Sequence, residues 1–350
     1  MFFAWTSREV AWRVCGRVAL RAAPFVAFAL AFALASCRAP GDSAADSTSA
    51  RRAPRAGRGS AIELTDDAGR VVHLDAPARR VISLVSSATE TLIALGAADR
   101  IVGRTRYDDA PEIAAVPSVG GGVDPSIETI VGLHPDLVIA WSADKRQAVR
   151  AKLTALGVHV FTVRTEDTSD VFRGIANLGR LTGRDSAALR LGGSIRGELD
   201  DVRRSVAGRP APSVFFVVFN DPPMTAGPDT FIGQLIGLAG GRSLFDDTRQ
   251  LWPNVSMEEI VRRQPDVVIV PVGEFKTNTV DYLRARTGWR DLRAVREGRV
   301  VTVPANLLNR PGANIGKAAR VLRAAFYPEF TSAADSANVA RPLSAPAERR

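Results

Sequence analysis

The sequence predicts an α/β protein of two lobes with mostly parallel sheets, and three observations carry that reading. The stretch SIETIVGLHPDLVIA at 126–140 recurs as SMEEIVRRQPDVVIV at 256–270, offset by 130 residues. Ser126, Glu128, Ile130, Val131, Pro135, Asp136, Val138 and Ile139 meet identical residues in the second copy. Solenoid periods run roughly 20 to 50 residues, so this spacing describes two similar lobes in one chain. Apolar runs of strand length also alternate with amphipathic stretches, the pattern of βαβ units. Finally, a single amphipathic helix is predicted over 185–207, where Ala188, Leu191, Ile195, Leu199, Val202 and Val206 recur at three- and four-residue steps. At 1.5 Å per residue it reaches about 34 Å, enough to run the height of both lobes. Its glycines 192, 193 and 197 each cost about 1 kcal/mol, so packing against the lobes must hold it. Two lobes joined this way enclose a cleft that closes only slightly.

The elements follow in order. Residues 1–36 read as a signal peptide: basic up to Arg21, then apolar over 25–35. That apolar run is too short to span about 30 Å of hydrocarbon. Leu34, Ala35, Ser36 and Cys37 resemble the bacterial lipobox, which implies a mature chain that begins at a lipidated Cys37. The chain is then exported to the periplasm or the outer cell surface, where acyl chains contribute about 0.8 kcal/mol per buried methylene. Cys15 is discarded with the leader, so the mature chain has no disulfide. Residues 38–60 hold no large apolar side chain and read as a disordered tether; 331–350 read as a disordered tail. An N-terminal lobe over 61–184 and a C-terminal lobe over 208–330 flank the connecting helix. Strands are expected at 81–85, 101–103, 137–140 and 158–163, then at 214–219, 267–270 and 299–303. Ligands of such sheets meet the loops beyond the strand carboxyl ends.

The formal charge of +9 sits mostly outside the lobes: +3 on residues 1–36, +3 on 38–60 and +1 on 331–350, leaving about +2 on 61–330. A nucleic-acid surface needs cations clustered on a folded face, so nucleic acid is set aside.

Residues 79–327 resemble the periplasmic binding proteins of ABC importers for cobalamin, haem and ferric siderophores, whose lobes are joined by one long helix. The likeness is nearest to the cobalamin-binding members through RVISLVSSATETLIALGAADRIVG, residues 125–141, NDPPMTAG from Asn220 and LWPNVSMEEIV from Leu251. It implies a lipid-anchored, monomeric binding protein that is not an enzyme and carries no cofactor. Its ligand would be a corrinoid, delivered to a permease dimer with its ATPase. The implied ligand contacts are Tyr107, Trp141, Met224, Trp252, Asn306 and Arg310. Aromatic rings suit a flat ligand because they bury large apolar area with little rotamer entropy to lose. Asn306 stands where an Asp is familiar, Leu307, Met224 and Gly122 where aromatics are, so haem or a ferric siderophore is the alternative. Tyr107 would be the candidate axial group for haem.

Glu128 and Glu258 follow Ser126 and Ser256, which read as helix N-caps. The helix dipole alone accounts for a first-turn carboxylate. The resemblance implies that this pair docks into the two permease subunits. The histidines His73, His134 and His159 are scattered, so no zinc site is expected. Gly120 to Gly122 lack the Lys-Ser/Thr of a P-loop and read as a turn or as room beside the ligand. Ser86, Ser87 and Thr89 read as helix caps. The competing class is an exported two-lobe α/β enzyme, for which Glu90, Asp108 and Asp109 are the nearby carboxylates; the two aspartates read as loop-surface residues.

Overall fold

The computed structural model describes residues 61–142, 147–273 and 279–332. The expected signal peptide, Cys37, the tether to residue 60 and the tail beyond 332 lie outside them.

A feature absent from the sequence reading comes first: β1 (Ile62–Thr65) and β2 (Val71–Leu74) form an antiparallel hairpin. The first lobe follows with β3 (Val81–Ser83), α1 (Ser86–Ala94), β4 (Ile101–Gly103), α2 (Ile127–Gly132), β5 (Leu137–Trp141), α3 (Gln147–Ala155) and β6 (Val160–Val163). Two helices then lead out of it, α4 (Thr168–Leu181) and α5 (Asp185–Ser205). The second lobe holds β7 (Ser213–Phe216), β8 (Phe219–Asn220), β9 (Pro223–Met224), α6 (Phe231–Leu238), β10 (Arg242–Ser243), α7 (Met257–Arg263) and β11 (Val267–Val272). It ends with α8 (Val280–Ala285), α9 (Arg293–Arg296), β12 (Val300–Pro304), α10 (Ala305–Asn309) and α11 (Ile315–Phe326).

Each lobe is built on a four-stranded parallel sheet, in the orders β4-β3-β5-β6 and β10-β7-β11-β12. These orders are equivalent, because β5 and β11 are the strands of the sequence repeat. Their residues are buried on both faces, which explains their unbroken apolar runs.

The repeat performs the same local tasks twice. The Ser126 hydroxyl accepts from the Thr129 amide at 3.2 Å, and the Ser256 hydroxyl accepts from the Glu259 amide at 3.1 Å. His134 and Gln264 end the two helices with φ of 46° and 48°, a left-handed turn that redirects the chain into the strand. Asp136 accepts from the amides of Arg79 and Arg80 at 2.8 and 2.9 Å, tying β5 to the start of β3. Asp266 accepts from the amide and hydroxyl of Ser213 at 2.9 and 2.7 Å, tying β11 to β7.

The lobes are connected by α4 and α5. The buried stripe of α5, Ala188, Ile195, Leu199 and Val202, belongs to one apolar cluster. That cluster also holds Val81, Leu137 and Phe161 of the first sheet and Val214, Ile269 and Val301 of the second. Close packing of α4 on α5 relies on a different glycine from those inside α5. A Cβ at Gly179 would stand 2.5 Å from the Ala188 methyl, whereas one at Gly193 or Gly197 would meet open space.

Two local readings are corrected. The α1 N-cap is Val85, without a side-chain cap; Thr89 and Thr91 instead donate to the carbonyls of Val85 and Ser87. Asp108 is buried, not on the loop surface, because its carboxylate accepts from the amide and hydroxyl of Thr105, both at 2.7 Å. Asp109 is exposed.

Candidate functional site

The carboxyl ends of both sheets face one cleft of about 600 Å³. Trp141 enters from the end of β5, and Val163, Arg164, Thr165 and Glu166 from the end of β6 and the turn after it. From the other lobe come Phe216 to Phe219 beyond β7, Met224 of β9, Trp252, Pro271 of β11, and Leu308 and Asn309 of α10. Phe231 and Ile232 of α6 complete an apolar floor. Trp252 and Phe219 are 46 and 41 % exposed, apolar surface that a ligand would cover.

Of the ligand contacts expected from sequence, Trp141, Met224 and Trp252 line this cavity; Tyr107, Asn306 and Arg310 do not. Tyr107 lies in the loop after β4, 57 % exposed, with the Arg106 guanidinium 5.4 Å from its ring centre. Asn306 is exposed on α10. Arg310 reaches across to the first lobe and donates to Glu90 at 2.9 Å, to the Tyr107 carbonyl at 2.8 Å and to Asp109 at 3.3 Å. Burial works against its charge, but the two carboxylates more than restore it and raise its pKa. Gly122 has a packing task of its own. A Cβ there would stand 2.3 Å from the Leu84 carbonyl and 3.8 Å from the Trp141 indole nitrogen, so glycine lets this loop pack on the strand end beside Trp141.

Sequence reasoning missed Phe216, Phe219, Phe231 and the charged pair Arg164 and Glu166. The run SVFFVVF was read as strand alone; its last residues turn out of the sheet into the cleft. Arg164 is not available to a ligand as a lone cation, because it forks onto Asp170 with contacts of 3.0 to 3.2 Å. Asp170 is buried, and it also accepts from the Glu166 amide at 2.9 Å and from Arg173. Burial alone would raise its pKa, but these donors outweigh it and hold the carboxyl below the ordinary 3.8. The amino-terminal hairpin buttresses the same wall: Asp67 accepts from the Arg164 amide at 2.6 Å and from Arg173 at 2.8 Å. Asp66 accepts from the Thr162 hydroxyl at 2.8 Å.

Hydrogen bonds also cross between the lobes beside the cleft. The Phe231 amide donates to the Glu166 carbonyl at 2.6 Å, and the Thr168 amide and hydroxyl donate to Gln234 at 3.0 and 2.7 Å. Outside the cavity lining, Glu128 and Glu258 are exposed in the first turns of α2 and α7. Neither has an ion-pair partner among the described residues. The adjacent Glu259, by contrast, binds both Arg262 and Arg263, which pull its pKa down to about 2.

Comparisons with known proteins agree with this architecture. The periplasmic binding protein family matches residues 81–307, and the chain belongs to that family. A cobalamin-binding protein of Halobacterium salinarum is 32 % identical over 272 residues, covering 75 % of this chain and 73 % of the relative. Among solved structures, the periplasmic vitamin B12 binding protein BtuF of Vibrio cholerae superposes with a TM-score of 0.61 at 26 % identity, covering 73 % of this chain and 99 % of its own. The apo periplasmic haem-binding protein RhuT of Roseiflexus sp. RS-1 does so with a TM-score of 0.65 at 27 % identity, covering 72 and 99 %. The chain is a substrate-binding protein of the ABC-importer type.

Because the folded-state pKa of Asp170 lies below 3.8, its ionised form stabilises the fold above that pH, and the contribution is lost as pH falls through the folded value. Asp170→Asn is expected to cost about 2 to 3 kcal/mol at neutral pH. Urea denaturation at a series of pH values should show the deficit shrinking in acid; a deficit independent of pH would reject this role.

Proposed function

We propose that the cleft binds cobalamin and that the chain delivers it to a membrane permease. The observation that carries this reading is the charge state of the cavity wall. Its charged lining residues among those described are Arg164 and Glu166, and Arg164 is committed to Asp170. A ferric siderophore or the propionates of haem would bring negative charge beside Glu166 without an uncommitted guanidinium to receive it. A corrinoid rimmed by neutral amides makes no such demand, and its flat ring suits apolar walls bearing Trp141, Met224 and Trp252. The cobalamin-binding relative of similar length supports the same choice.

The purified full-length chain in detergent, titrated with cyanocobalamin and with haemin, tests the ligand through tryptophan fluorescence. Quenching by cyanocobalamin at sub-micromolar concentration is expected, weakened about tenfold or more by Trp252→Ala. Quenching by haemin alone would move the assignment to haem.

Delivery is proposed to use Glu128 and Glu258, whose carboxylates are exposed and form no ion pair among the described residues. Replacing both by Lys should abolish ligand uptake by cells while leaving the fluorescence-measured affinity unchanged. Normal uptake by the doubly substituted chain would count decisively against docking through these residues.

The reading includes export and a lipid anchor at Cys37, which lies outside the described residues. Cys37→Ser should shift the chain from the membrane fraction to the soluble fraction; continued membrane retention would exclude this anchor.

A further inference from the structure

Arg310 and Asn314 belong to the segment that follows β12 and α10 of the second lobe, yet both bind one residue of the first lobe, Glu90 on α1. Arg310 donates to one carboxylate oxygen of Glu90 at 2.9 Å, and the Asn314 amide donates to the other at 2.9 Å. The side chains of Arg310 and Glu90 are 18 and 19 % exposed, so the pair is shielded from solvent. Shielding strengthens a charge-assisted bond whose geometry is good. Backbone approaches backbone here as well: a Cβ at Gly312 would lie 2.8 Å from the Ser87 carbonyl of α1. The clasp is therefore an interlobe contact separate from the Glu166 to Phe231 and Thr168 to Gln234 bonds.

The consequence concerns the width of the cleft. Trp141, Val163 and Arg164 stand on one wall, and Phe216, Met224 and Trp252 on the other. Leu308, Asn309 and Pro311 line the cavity from the segment that carries Arg310. Outward movement of that segment, which would widen the cavity, also stretches its bonds to Glu90.

We propose that Glu90 is a positioning residue for ligand binding: through Arg310 and Asn314 it fixes the spacing of the two cleft walls without touching the ligand. This rests on the cleft being the ligand site, whatever the ligand. Without Glu90 the second-lobe segment loses two bonds at once, those from Arg310 and Asn314, and Arg310 is left with the Tyr107 carbonyl and the exposed Asp109. The ligand then meets walls that no longer hold both faces of its ring.

The test uses the full-length chain in detergent and two readouts. In the ligand-free chain, amide hydrogen exchange over 305–314 should rise about tenfold in Glu90→Ala, the size of one charge-assisted hydrogen bond. The off-rate of whichever probe the unsubstituted chain binds, cyanocobalamin or haemin, should rise by about the same factor, with Glu90→Gln recovering part of both effects because it keeps an acceptor oxygen. Unchanged exchange in the ligand-free chain overturns the clasp, independently of which ligand is bound. Faster exchange with an unchanged off-rate overturns the positioning role. If neither probe binds the unsubstituted chain, the cobalamin reading fails while the exchange experiment still decides the clasp.

Discussion

Burial of one helical stripe, that of α5 against α4 on one side and α11 and α6 on the other, is the constraint on which the molecule depends. Ile195, Leu199 and Val202 of α5 are almost fully buried, and they join the cores of both lobes into one apolar cluster. Burying each such side chain is worth about 1.5 to 3 kcal/mol, so parting the lobes at this seam would expose several of them together. Hinged proteins joined by extended strands lack such a penalty. Here the two lobes share one apolar cluster beside the cleft.

The cleft must also solve its own electrostatics. Arginines near the cavity are committed to protein carboxylates: Arg164 to Asp170, and Arg310 to Glu90 and Asp109. The segment that carries Arg310 presents Leu308, Asn309 and Pro311 to the cavity, and the turn after β6 presents Arg164, Thr165 and Glu166. Asp170, for example, holds Arg164 and the Glu166 amide together and so fixes the turn after β6. Electrostatics thus sets geometry in this site, while the apolar walls supply the surface for binding.

Much of this was legible in the sequence where one residue type performs a local task. Buried parallel strands require continuous apolar runs, so β5 and β11 were visible, and their preceding serines act as the N-caps that the spacing predicted. Trp141 and Trp252 were reached through the family resemblance, which places aromatics at these positions, and both line the cavity. The amino-terminal hairpin escaped because its strands have four residues each and alternate in burial, although Asp66, Asp67 and Gly69 do mark a turn. Arg310 was expected at the ligand. Its partner Glu90 lies 220 residues away and on the other lobe, a pairing created by tertiary approach that no local pattern encodes.

The repeat separates what the fold requires from what it does not. Serine cap, left-handed residue and aspartate tie occur in both copies, and each has an internal structural task. Glu128 and Glu258 also occur in both copies, but without one. A shortage of cations cannot account for this in the second lobe, since Arg262 and Arg263 stand within two turns of Glu258 and both bind Glu259 instead. Nor does the helix dipole require the matching residue twice: Glu259 already places a carboxylate in the first turn of α7. The charge of Glu128 and Glu258 thus recurs at equivalent positions of the two copies and is exposed in both, which is why docking to a partner is proposed for this pair rather than for Glu259.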